Sequence, residues 1–424
     1  MNKANPYIIV NIQLDQLQWA SPEIPKPGLR YYFSYWWKKI PLGHLFVEAD
    51  PQYDTEASQQ KIWEAIASAI QFYQKKTDKD AGTIEFSFLQ KNYTAFHRDM
   101  DQLFAAYTNR ELPASVDVSV IICTRNRSRD LHRCLHSLFA QTCLPMEIIV
   151  VDNAPVDDST YRVAKEFGNV IYLKELRPGL SIARNTGIRV ARSPVVAFTD
   201  DDVVLHPHWM YYVQESFDTP EVGAMTGLVI ASSLNTESQQ LFEKQYSFNR
   251  GYCDKLYDQL YFKTGLAAGP RVWNIGAGAN MAFRRSIFNI TGYFDERLGA
   301  GAAGCSEDSE LWYRVLAKAF TIHYNPRAVG FHEHRKEAHA LERQVFSYMR
   351  GHAAAALIQQ SQIREAGYVK YLYRMIFKSC MPLLIKRFFQ AYERKMILIQ
   401  LHGIFSGILF FFRNRNKPSQ TTPF

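Results

Sequence analysis

The sequence predicts an α/β fold, a mainly parallel sheet with helices on both faces, carried by the middle of the chain. Two observations predict it. Between Val118 and Thr199 short apolar runs alternate with amphipathic stretches of helical period, the rhythm of repeated β-α units. The strands so read also end in polar residues, Thr124, Asp152 and Asp200, at the carboxyl edge where open α/β sheets gather their ligands. A chain of 424 residues exceeds one ordinary core. We therefore divide it into an N-terminal accessory region with α+β character (1–114), the α/β domain (115–335) and a basic, helical C-terminal region (336–424).

In the N-terminal region, Tyr31 to Trp37 and Leu45 to Val47 are rich in aromatic and β-branched residues, with Pro41-Leu42-Gly43-His44 between them. This predicts a hairpin or small sheet turning at Pro41–His44. A helix is expected over Glu56–Gln74, because Ile62, Ile66 and Ile70 recur every four residues. The Tyr/Trp cluster reads as packing rather than as a carbohydrate platform.

The α/β domain opens with a buried strand, Val118–Cys123, and the polar turn Thr124-Arg125-Asn126-Arg127. Ser128 is placed to cap a helix whose apolar positions are Leu131, Cys134, Leu135, Leu138 and Phe139. There follow a strand over Glu147–Val151, a helix over Asp157–Phe167, a strand over Val170–Leu173, a helix over Leu180–Arg192 and a strand over Val195–Thr199. That last strand runs into Asp200-Asp201-Asp202. Three adjacent carboxylates repel one another, and a hard divalent cation, Mg²⁺ or Mn²⁺, relieves the repulsion. The competing reading is a solvated turn with one Asp capping a helix near His206; one Asp accounts for a cap, three do not.

Composition narrows the classes. The chain is 47% hydrophobic and 21% charged, with 49 Lys+Arg against 41 Asp+Glu and a net charge of +8. That surplus favours anionic partners such as nucleotide phosphates or membrane head groups and excludes the dense basic stripe of a nucleic-acid binder. The six cysteines have no C-x-x-C spacing and read as reduced thiols. No signal-peptide pattern opens the chain, so a cytoplasmic location is expected. Met396–Phe412 is the one stretch approaching a membrane span, interrupted by Gln400 and His402.

Four pieces in order, Val118 to Asn126, Val151-Asp152-Asn153, Gly179 to Gly187 and Phe198 to Asp202, closely resemble family 2 glycosyltransferases of the GT-A fold, a Rossmann-like mainly parallel sheet with helices on both faces. The resemblance covers about Val116 to Arg335. It implies transfer of a sugar, with inversion, from a UDP-, GDP- or dTDP-linked donor to a glycan or lipid-linked acceptor hydroxyl. It also implies Mn²⁺ or Mg²⁺ on the diphosphate. By the resemblance Thr124, Arg125, Asn126, Asp152, Arg184, Asn185, Asp200 and Asp201 bind the nucleotide sugar. Asp202 is the first choice for the metal ligand, with Asp200 and His332 beside it, Asp200 also facing the ribose.

Gly276 to Arg285 resembles the segment that leaves room for the donor sugar, and Gly299 to Gly304 a mobile loop. Ser306-Glu307-Asp308 matches the Glu-Asp motif, whose Asp308 is the expected general base with Glu307 next to it; the same residues also suit the cap and acidic first turn of a helix. The Gln-x-x-Arg-Trp motif of processive synthases is absent, which points to single-residue transfer in polysaccharide or glycolipid assembly. The alternatives are a nucleotidyltransferase, disfavoured because Thr124–Arg127 is no Gly-rich pyrophosphorylase loop, and a degenerate sugar-binding module. Lastly, the basic residues between Arg364 and Lys417 interleave with apolar ones such as Tyr373, Phe377, Leu383, Ile385, Phe388 and Phe389. Such helices lie in the interface of an anionic membrane, here its inner face, or pack on the catalytic domain with a solvated basic side.

Overall fold

The computed structural model describes residues 5–16, 28–48, 55–77, 82–386, 391–417 and 419. Its first strands are β1 (Tyr7–Gln13), β2 (Arg30–Trp37) and β3 (Ile40–Glu48), with β1 parallel to β2 and β2 antiparallel to β3. The chain reverses at Lys38–Lys39 rather than at Pro41–His44, which lie inside β3. Ile40 and Leu42 are fully buried, so core packing overrides the local turn chemistry. Pro41 is tolerated because it sits at the register shift opposite Trp36. Helices α1 (Thr55–Thr77), α2 (Gly82–Leu89) and α3 (Tyr93–Thr108) follow. Ile66, Ile70, Trp63 and Tyr73 of α1 are buried and share one continuous core with Leu228, Ile230 and Val329 of the large sheet.

The α/β part comprises β4 (Ser115–Thr124), α4 (Ser128–Phe139), β5 (Leu144–Asn153), α5 (Ser159–Glu166), β6 (Val170–Glu175), α6 (Leu180–Val190), β7 (Val195–Asp200), β8 (Val203–Leu205), α7 (Trp209–Glu215), β9 (Val222–Ala231), α8 (Glu237–Gln245), β10 (Lys255–Tyr257), α9 (Gln259–Gly265), β11 (Asn280–Arg284), α10 (Ile287–Thr291), α11 (Glu307–Ala317) and β12 (Thr321–His332). The sheet order is β10-β12-β9-β11-β7-β4-β5-β6, with β8 paired to β12. β7, β4, β5 and β6 are parallel. β11 is inserted antiparallel between β7 and β9, and β9 and β12 are again parallel. The sheet is thus mixed.

Period-two alternation sends Ile149 and Val151 into a core with α6 and α11, and Ile148 and Val150 into one with α4 and α7. Helices on both faces are the consequence. α4 begins at Ser128 as expected, yet its cap position is Arg127 and no side chain caps it. An arginine side chain carries donors only and cannot accept from the free N–H groups of a helix N-terminus.

The C-terminal region is helical: α12 (Ala338–Gln362), α13 (Tyr368–Arg374), a π-helical segment Met375–Cys380, α14 (Met381–Lys386) and α15 (Ala391–Asn414). Among the described residues α15 is the one helix long and apolar enough to cross a bilayer. It packs along α12 through Gly403 and Gly407. A Cβ at Gly403 would lie 2.7 Å from the Phe346 carbonyl oxygen, and one at Gly407 would meet that of Arg350. Arg387, Phe388 and Phe389 of the predicted basic segment lie outside the described residues.

Candidate active site

Parallel pairing sets Thr124 beside Asp152 and Cys123 beside Asp200, and His332 ends β12 beside Ala231 of β9. The carboxyl edge of the sheet therefore gathers residues up to two hundred positions apart. Thr124 Oγ1 donates to Asp201 Oδ2 at 2.7 Å. Arg127 Nη1 donates to Asp201 Oδ1 and to Asp202 Oδ2, both at 2.9 Å. Burial and the adjacent Asp202 charge raise the Asp201 carboxyl above the usual range, with Arg127 and Thr124 opposing. His332 Nε2 lies 3.4 Å from Asp202 Oδ1, and burial pushes its imidazole down to about 4, which leaves it neutral near pH 7. A buried carboxylate beside a neutral imidazole is a donor set suited to a divalent cation. Among the described residues no group of three or more His, Cys, Asp or Glu side chains is arranged to hold a metal ion by itself.

A second group faces these residues. Arg184 on α6 is buried; its Nη1 donates to Glu307 Oε1 at 2.6 Å, and its Nη2 to Asp200 Oδ1 at 3.4 Å and to the Gly278 carbonyl at 3.3 Å. It bridges the strand-end acids to the Glu-Asp pair. Burial raises the Glu307 carboxyl to about 6 against the pull of Arg184. Asp308 Oδ2 accepts from Gly278 N at 2.8 Å, and Oδ1 from its neighbour Ser309 N at 2.6 Å. A Cβ at Gly278 would sit 3.1 Å from Asp308 Oδ2 and 3.2 Å from Arg184 Nη2, so the small residue permits the contact. The expected helix cap at Ser306 does not form: Ser306 has φ 69° and caps nothing with its side chain.

Asp152 is fully buried. Tyr172 Oη donates to its Oδ2 at 2.7 Å, and its Oδ1 has no hydrogen bond; burial raises its carboxyl. Asn185 departs from the expected donor contact. Its Nδ2 donates to the Phe294 carbonyl, and its Oδ1 accepts from Phe294 N, both at 2.9 Å, so its amide is spent on pinning a loop. Arg125 is exposed, and Asn126 Oδ1 accepts from Val156 N at 3.1 Å. In the glycine loop Leu180 N donates to the Ala300 carbonyl and Gly304 N to that of Gly299, both at 2.9 Å. Sequence reasoning left Arg127 out of the site, although it lies in the same turn as Thr124. It also missed Glu243 on α8, which reaches the site through His334.

A mixed α/β sheet with acidic and basic groups at its carboxyl edge has its charged side chains where open α/β sheets bind ligands. Residues 119–291 match the model of glycosyl transferase family 2, and this stretch belongs to that family. An uncharacterized glycosyltransferase of Escherichia coli K12 is 37% identical over 93 residues, covering 21% of this chain and 27% of the relative. The chondroitin synthase of Escherichia coli is 24% identical over 240 residues, 54% of this chain and 33% of the relative. A pre-mycofactocin glycosyltransferase of Mycobacterium tuberculosis is 25% identical over 236 residues, 53% and 44% respectively. The chain thus spans less than half the length of these relatives. Among solved structures, a mannosyltransferase of Pyrobaculum calidifontis in complex with GDP-Man and Mn²⁺ aligns with a TM-score of 0.46 and 16% identity, over 70% of this chain and 88% of that one.

Proposed function

We propose that the protein transfers a sugar from a nucleoside-diphosphate sugar to an acceptor hydroxyl in a single displacement with inversion. The observation that carries this is the convergence at one sheet edge of Asp152, the Asp200–Asp202 run, His332 and, linked to them through Arg184 and Gly278, Asp308. Asp152, with a buried free acceptor oxygen, takes a hydrogen bond from the base. Thr124 and Arg127 hold Asp201 and Asp202 in place. Asp202 and His332 would hold a divalent cation, Mn²⁺ or Mg²⁺, which would offset charge on the leaving group.

Asp308, oriented by Gly278 N and Ser309 N, accepts the proton of the attacking hydroxyl. The new bond joins that oxygen to the anomeric carbon while the bond to the diphosphate breaks, its electron pair leaving with the nucleotide. The test is Asp308→Asn, which lowers kcat about 10²- to 10⁴-fold while nucleotide binding stays intact. Unchanged turnover would remove Asp308 as the base, and release of pyrophosphate in place of a nucleoside diphosphate would favour a nucleotidyltransferase.

The C-terminal helices supply the place of work, an anionic membrane surface presenting a lipid-linked acceptor. On α13, the π-helical segment and α14, Val369, Tyr373, Phe377 and Ile385 are 57, 56, 54 and 74% exposed. Each is followed directly by an exposed cation: Lys370, Arg374, Lys378 and Lys386. An apolar stripe flanked by a basic one suits a headgroup interface, where aliphatic groups insert and lysines meet anionic lipid.

A further inference from the structure

Just where β12 ends, His332 and His334 turn to one side and Glu333 to the other. Glu333 leaves the site, accepting from Ser233 Oγ at 3.1 Å and pairing with Lys336 at 3.0 Å. The two imidazoles meet: His332 Nδ1 lies 2.9 Å from His334 Nδ1. Beyond them, His334 Nε2 lies 2.8 Å from Glu243 Oε2. Glu243, His334, His332 and Asp202 are all at most 8% exposed, so a buried chain of four polar side chains runs from α8 to the strand-end acids. The helix that carries Glu243 is keyed to the same strand. Thr236 and Gln239 form its capping box, and Gln239 Nε2 donates to the His334 carbonyl at 3.2 Å. Phe248 stands edge-on to the His332 ring at 5.3 Å and 90°, and Phe242 lies 4.5 Å from the His334 ring, walling the chain from water.

From this geometry we infer that Glu243 and His334 are positioning residues that fix the orientation and tautomer of His332 so that its Nε2 presents a lone pair beside Asp202. The Glu243 carboxylate only accepts, so His334 Nε2 carries a proton, and in a neutral imidazole its Nδ1 is then the acceptor of the His332 Nδ1–H. The bare His332 Nε2 then faces Asp202 Oδ1, two acceptors that a cation between them satisfies. A metal-binding histidine held through its other ring nitrogen by a carboxylate or a carbonyl is a general device, and here a second imidazole is interposed. The inference rests on the cation reading proposed above.

Two measurements test it: side-chain ¹⁵N spectra of histidine-labelled, metal-free protein, and Mn²⁺ titration followed by electron paramagnetic resonance with UDP or GDP present. The expected results are an Nδ1–H tautomer at His332 in the wild-type chain, and a switch to Nε2–H in His334→Phe with roughly 10- to 100-fold weaker Mn²⁺ binding. Substantial recovery is expected in His334→Gln, whose amide oxygen again accepts from His332. In Glu243→Gln the amide oxygen still accepts from His334, so its tautomer pattern and Mn²⁺ affinity stay close to wild type. A proton on His332 Nε2 in the wild type, or His334→Phe with unchanged tautomer and affinity, overturns the relay alone. Absence of Mn²⁺ binding by the wild type with either nucleotide overturns the cation reading and the relay with it. Melting curves identify any variant that fails to fold, and the wild-type tautomer decides the matter independently of the variants.

Discussion

At the scale of single residues, the structure separates side chains that look alike in sequence. Asp200, Asp201 and Asp202 are neighbours, yet Asp200 meets Arg184, Asp201 meets Thr124 and Arg127, and Asp202 lies between Arg127 and His332. Arg127 answers the repulsion that the triplet poses, which the sequence alone assigned wholly to a cation. Asp152 offers a direct test of the base contact. Asp152→Asn replaces an acceptor-only carboxylate with a neutral amide, and loss of one charged hydrogen bond of about 1.5–3 kcal/mol weakens nucleoside diphosphate binding roughly 10- to 100-fold. Calorimetric titration with UDP and with GDP measures this, and unchanged affinity for both removes Asp152 from the nucleotide contact.

At the scale of elements, α13, the π-helical segment and α14 carry the exposed stripe, and α15 carries the close approach to α12. The triple replacement of Val369, Phe377 and Ile385 by Ser leaves the circular dichroism spectrum unchanged, because those side chains are exposed. It abolishes co-sedimentation with vesicles containing phosphatidylserine or cardiolipin. Retained sedimentation assigns the stripe to something other than a bilayer. Gly407→Leu forces a side chain against the Arg350 carbonyl and the Ala353 Cβ. This destabilises the helix pair by about 1–3 kcal/mol, seen as a lower urea midpoint.

At the scale of the whole molecule, a buried ion network ties the N-terminal helices to the sheet. Arg327 on β12 donates to Tyr73 Oη of α1 at 3.1 Å and pairs with Asp254 at 3.0 Å, while His323 Nε2 lies 2.9 Å from Asp254. Burial pushes the Asp254 carboxyl up, but Arg327, His323 and Lys76 together outweigh it and hold Asp254 down at about 2, against an ordinary value of 3.8. A carboxyl lowered on folding contributes stability above its unfolded value and loses it as pH falls through the folded one. Asp254→Asn therefore lowers stability at pH 7 by about 2 kcal/mol, and the gap from wild type closes between about pH 4 and pH 2, as urea unfolding across that range measures.

The sequence by itself determined the β-α alternation, and with it the parallel strands and the edge at which Thr124, Asp152 and Asp200 end, because strand period and helix period are local properties. The order of motifs likewise singled out Asp308 and His332. Only the tertiary structure decided what each polar atom does. Ser128 and Ser306 have the composition of caps and cap nothing, and Pro41-Leu42-Gly43-His44 has the composition of a turn and lies in a strand. Asn185 has the look of a donor contact and spends both amide atoms on Phe294. Partnership depends on distance in space, and Arg184 reaches Glu307 across 123 positions while His334 reaches Glu243 across 91. Packing of the helices on the mixed sheet sets those distances, and no local pattern encodes them.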